Sequence, residues 1–117
     1  FTFYSIVISH SYYSIFYSAK AILIKNSIKT EAPEVHKKTL EAFEQYLVRT
    51  GKLDIELLKI YQKMIIHADA LLGIFSMEKR KRGEFTYQKL PQANREPVEE
   101  SLSNALFFFK NINKILQ

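Results

Sequence analysis

The first nineteen residues, Phe1 to Ala19, contain no Lys, Arg, Asp or Glu, and within them bulky aromatics are interleaved with small side chains at helical spacing. Ser5 and Ser9 lie four apart, as do Ser14 and Ser18, and Ala21 follows three further on. Residues so spaced share one face of a helix. Small side chains on a face let a second helix approach closely, while Tyr13, Phe16, Tyr17 and Ile24 offer large apolar surface. Such a helix belongs at the centre of a bundle, contacted on several sides. The competing reading is a membrane span, which needs about 20 mostly apolar residues. The serines, tyrosines and histidine that precede Lys20 make this stretch too polar for one. With no basic n-region, no signal peptide is expected, and the expected setting is the cytoplasm, away from membranes.

At 117 residues the chain can hold one domain with a real core, spanning 1–117, and is too short for two. A hydrophobic content of 47%, with 14% aromatic, excludes a disordered chain. The absence of cysteine removes disulfides, thiolate metal sites and cysteine nucleophiles. His10, His36 and His67 are too scattered to suggest a dedicated metal site, and no cofactor is implied. Only three Gly and three Pro leave few places for β-turns and argue for helices. The net charge of +5 tilts the chain toward acidic partners such as nucleic acid, although many ordinary domains are equally basic.

The first helix is predicted from Phe3 to about Ile28, weakened near its end by Asn26 and Ser27. Thr30-Glu31-Ala32-Pro33-Glu34 reads as the start of a second helix, with Thr30 as its cap and Pro33 in its first turn. Val35, Thr39, Ala42, Phe43, Tyr46 and Leu47 form its apolar stripe, and Gly51 closes it at positive φ. Asp54 caps a third helix. Its inward stripe runs through Leu57 or Leu58, Tyr61, Ile65, Ala68, Leu72 and Phe75, widened by Ile60, Met64, Leu71 and Ile74. His67 and Asp69 form a polar edge near its middle. After Met77 periodicity stops until about Glu96, with Pro91 and Pro97 preventing one continuous helix. The last helix begins near Pro97, and Val98, Leu102, Ala105, Phe109, Ile112 and Leu116 give its seam. Phe107 and Phe108 fall off that seam and form either a second contact face or an exposed patch. No segment alternates with period two, so the fold class is all-α, an antiparallel up-and-down helical bundle of about four main helices.

The Lys79-Arg80-Lys81-Arg82 run is the most basic point in the chain. Its cations suit phosphates, and Phe85 and Tyr87 are available to stack on bases. The plainer reading is a solvated helix end. No hydrolase triad, Gly-rich phosphate loop or spaced carboxylate pair is present. Any catalysis would be metal-independent, with an Arg steadying phosphate charge and a neutral side chain handling a proton.

Several segments together resemble the HEPN domain, in its small stand-alone bacterial and archaeal form. Ser11-Tyr12-Tyr13-Ser14-Ile15-Phe16-Tyr17-Ser18-Ala19-Lys20-Ala21 is similar to that family's Ala/Tyr-rich central helix, R-A-Y-Y-A-x-F-Y-A-A-K-A-L. Val35-His36-Lys37-Lys38, followed by Phe43, resembles its T-H-K-x segment with a following aromatic. Val48-Arg49-Thr50-Gly51-Lys52-Leu53-Asp54 resembles V-K-T-G-K-L-D, and Arg80-Lys81-Arg82-Gly83-Glu84-Phe85 resembles R-x-x-x-D-Y. Glu99 to Ile115 looks like the closing helix. The resemblance covers nearly the whole chain and rests on the order and spacing of its parts.

It implies a helical bundle that forms a homodimer, often paired with a nucleotidyltransferase antitoxin. It also implies, in active members, a metal-independent ribonuclease motif, R-x(4–6)-H. Arg80 and Arg82 match the motif's Arg, but Thr86, Tyr87 or Gln88 stands where His should be. A Tyr of pKa near 10 does not replace imidazole as a base. The family's amphipathic helix before the Tyr-rich one has no counterpart here, and about two extra helical turns separate Asp54 from Arg80. If that first helix is absent, an apolar face stays open and calls for a partner or second copy. The expectation is therefore a non-catalytic or weakly catalytic HEPN-like domain that dimerises and binds RNA, a nucleotide or a partner nucleotidyltransferase. Its ligand contacts would be Lys79, Arg80, Arg82, Phe85, Tyr87 and His36. The alternatives are a toxin-type ribonuclease using Arg80 or Arg82 with Tyr87 or His36, and a purely protein–protein interaction module.

Overall fold

A computed structural model of the chain describes residues 3–72 and 95–116. It is a bundle of helices, α1 (Phe3–Lys25), α2 (Val35–Ala42), α3 (Ile55–Leu72) and α4 (Arg95–Leu116), with no strand among the described residues. A π-helical segment, Phe43–Val48, continues directly from α2. The all-α bundle expected from the sequence is what forms. Helix α1 packs against every other described helix, as its mixture of ring and small side chains required.

Each long helix contributes one buried stripe. On α1 it is Ile8, Tyr12, Ile15, Ala19 and Ile22, alternating steps of four and three. On α3 it is Leu57, Tyr61, Met64 and Ala68, and on α4 Ser101, Ala105, Phe108 and Ile112. The rings of Phe43, Tyr61 and Phe108 meet at the centre, with centroids 5.4 to 5.9 Å apart. Lys25 Nζ donates to the carbonyls of Ile115 and Leu116 at 2.9 and 2.8 Å, so α1 and α4 end together. Lys63 of α3 pairs with Glu100 of α4, and Tyr61 with Phe108, so α3 runs against α4.

The α4 seam is rotated from the one expected. Leu102 and Phe109 are 48% and 49% exposed, whereas Phe108, read as off the seam, is fully buried and Phe107 stays outside. Apolar residues occupy both flanks of α4, so spacing alone allows two registers one residue apart, and only the partner rings choose between them. On α1, Tyr17 and Ile24 also face outward, and of the small residues Ser5 and Ser18 are buried while Ser14 and Ala21 are exposed.

The ends are set by local chemistry. Ile28 N–H reaches Leu23 O and Ser27 N–H reaches Ile24 O, closing α1 at Lys25 with Ser27 left-handed at φ 63. Thr30 is not a cap: its hydroxyl is buried against that of Thr39 at 2.7 Å, which itself donates to Val35 O. Glu34, left-handed at φ 57, precedes α2 without a side-chain cap bond, and Pro33 lies before the helix rather than in it. In the π-helical segment Arg49 N–H bonds Glu44 O, five residues back. That wider winding brings Phe43 and Leu47 inward together and turns Tyr46 out to 45% exposure. Gly51 takes φ 82, as expected, and Asp54 Oδ1 accepts the Glu56 N–H at 2.9 Å as the cap of α3. Helix α4 starts at Arg95, two residues before the expected Pro97, a proline position the first turn tolerates.

Candidate functional site

His36 is the candidate site residue that falls among the described residues. Lys79, Arg80, Arg82, Phe85 and Tyr87 lie outside them, as do Phe75 and Ile74 of the expected α3 stripe. The second residue of α2, His36 comes against the middle of α1, where Tyr12 and Phe16, four apart, share a face. The Tyr12 hydroxyl and His36 Nδ1 are 2.9 Å apart. Phe16 stacks on the imidazole, with centroids 4.2 Å apart and planes 28° from parallel. Tyr13 meets it edge-on at 5.9 Å and stacks in turn on Tyr17 at 5.9 Å. Lys20, one turn beyond Phe16, holds its Nζ 5.8 Å from the Phe16 centroid and donates to Thr30 O at 3.2 Å.

The electrostatics follow from burial. His36 is half-buried, and desolvation, reinforced by the charge of Lys20, lowers its pKa from the ordinary value. The imidazole is neutral at pH 7. Tyr12 is fully buried, and burial first, then the nearby Tyr13 and Asp69, keep its phenol far above the ordinary range, against a smaller opposing effect of Tyr61. A phenol held protonated can donate to Nδ1 or accept from it, and the imidazole tautomer decides which. The Tyr61 hydroxyl lies near enough to Tyr12 that each affects the other's ionisation, yet it meets no partner at hydrogen-bonding geometry among the described residues.

His67 and Asp69 were read as a polar edge making ordinary hydrogen bonds. His67 Nδ1 is buried without a partner among the described residues. Desolvation lowers its pKa, Glu100 opposes that shift and Lys63 adds to it. No group of three His, Asp or Glu side chains able to hold a metal ion comes together among the described residues. No described helix is long and apolar enough to cross a membrane.

Sequence reasoning named His36 but missed its surroundings. Tyr12, Phe16 and Lys20 were read only as part of a helix that packs. The signal available was their spacing of four, which puts them on one side of α1.

No family model matches the chain, and no solved structure matches it. It is 28% identical over 110 residues to a UPF0332 protein of Thermotoga maritima, a match covering 94% of this chain and 70% of that protein. It is 38% identical over 55 residues to a protein of Methanocaldococcus jannaschii described as "Putative toxin", covering 47% of this chain and 35% of the other.

Proposed function

We propose that this chain is a HEPN-like domain of the toxin type that binds RNA or a nucleotide, with little or no catalysis of its own. The observation that carries the reading is the placement of His36. The Val-His-Lys segment meets the Tyr-rich helix, so that a neutral imidazole, a lysine and several rings share one partly exposed region. A ring cluster with a cation suits a base and its phosphate. The relative described as a toxin supports the setting, and the family resemblance of the ordered segments supports the fold reading.

A second reading has its own observation. Phe3, Ile6, Tyr17 and Ile24 are exposed on α1, and Leu102, Leu106 and Phe109 on α4, large apolar side chains of the kind a partner surface covers. It favours a protein partner, either a second copy or a nucleotidyltransferase.

The deciding experiment incubates the protein with labelled structured RNA in chelator, following mobility shift and cleavage together, beside an Arg80→Ala/Arg82→Ala variant. A salt-sensitive shift without cleavage is expected. Cleavage lost in the double variant would make the protein a ribonuclease instead. Neither shift nor cleavage would leave the protein-partner reading.

A further inference from the structure

The ring contacts around His36 extend outward without a break. Phe16 and Tyr12 form the buried side, Tyr13 is half-buried, and Tyr17, stacked on Tyr13 with planes 26° from parallel, is 62% exposed. An aromatic ring on a helix surface meets the flat face of a nucleobase only when that base is free of its own duplex stack. Lys20 borders the same rings. Among the described residues its ammonium donates to Thr30 O, and an ammonium has three hydrogens to give.

Charge points to the same class of ligand. Residues 1–41 contain Lys20, Lys25, Lys29, Lys37 and Lys38 against Glu31, Glu34 and Glu41. The first acid in the chain, Glu31, is paired with Lys29 at 3.7 Å. Lys37 and Lys38 follow His36 directly in α2. A protein surface seeking an apolar partner would gain nothing from this excess of cations, whereas a phosphate backbone would.

Resting on the RNA-binding reading above, we infer that the face made by Tyr13, Tyr17, His36 and Lys20 takes an unpaired stretch of RNA, with a base against the tyrosine rings and a phosphate at Lys20. Specificity on this face is for single strands over duplexes and is tolerant of base identity, because every base presents a π-face.

The test is fluorescence anisotropy with a short labelled oligouridylate, free and annealed to its complement. The wild-type, Tyr17→Ala, Tyr17→Phe and Lys20→Ala proteins are compared across a salt series. The wild type should prefer the single strand. Tyr17→Ala should weaken binding about tenfold, and Tyr17→Phe should restore it. Lys20→Ala should reduce the slope of log affinity against log salt by about 0.7. Tyr17 is exposed, so its loss should leave the helical circular dichroism unchanged. Single-strand binding undiminished in both alanine variants would overturn this face and leave the RNA-binding reading standing. No RNA binding by the wild type at low salt would remove both and point to a protein partner.

Discussion

The Tyr12 hydroxyl, on a residue with no solvent exposure, lies 2.9 Å from His36 Nδ1 across the α1–α2 contact. This bond joins two segments 24 residues apart and holds α2 against the central helix at the point where the functional reading places its ligand. Tyr12→Phe should keep the ring contacts with Phe16 and Tyr61 and lose the bond. A loss of about 1 kcal/mol in urea unfolding is expected. An unchanged unfolding midpoint would mean that the bond contributes nothing to the α1–α2 contact.

Acid should destabilise the fold. Both His36 and His67 have pKa values lowered from 6.5 by burial. As pH falls through 6.5 the unfolded chain takes up protons that the folded chain resists, so protonation favours unfolding. Their contribution is intact above pH 6.5 and is lost progressively as pH drops through that value toward the lower folded ones. Urea midpoints should therefore fall between pH 7.5 and 5, and less so in a His36→Gln/His67→Gln variant. A midpoint that rises on acidification would contradict both shifts.

Neighbouring phenylalanines of α4 should behave differently. Phe108→Ala removes a fully buried ring from contact with Phe43 and Tyr61 and should cost about 3–5 kcal/mol. Phe109→Ala alters a ring that is half exposed and should cost less than about 1 kcal/mol. Thermal unfolding of the two variants side by side reads the register of α4 directly. Equal losses would mean that the helix is rotated from the position described.

Gly51 and Ser27, both left-handed, should respond with opposite signs. Gly51 at φ 82 has nothing within 4 Å of an added Cβ, so Gly51→Ala tests backbone strain alone and should cost about 1 kcal/mol. Ser27 at φ 63 bears the strain already, and Ser27→Gly should add about 0.5–1 kcal/mol of stability. Denaturant midpoints would settle both, and a stabilising Gly51→Ala would refute the strain account.

Much of the architecture was legible because it rests on local rules. The charge-free aromatic stretch was too polar for a membrane span and periodic enough for a packed helix, and Asp54 and Gly51 marked their helix ends by side-chain and backbone chemistry that acts within a few residues. The α3 stripe through Tyr61 and Ala68 followed from periodicity. His36 was legible as a candidate, through the segment it belongs to.

The rest was decided between segments. Whether Phe108 or Phe109 enters the core depends on Phe43 and Tyr61, in earlier segments of the chain, because α4 is apolar on both flanks. Thr30 looked like a cap until a buried hydroxyl on Thr39 offered it a partner, and Tyr46 looked inward until the π-helical winding rotated it out. The environment of His36 belongs to the same class. Spacing put Tyr12, Phe16 and Lys20 on one side of α1, but a sequence specifies which faces exist rather than which of them meet. Only the folded chain brings the imidazole onto those rings, and with it the loss of water that keeps it neutral.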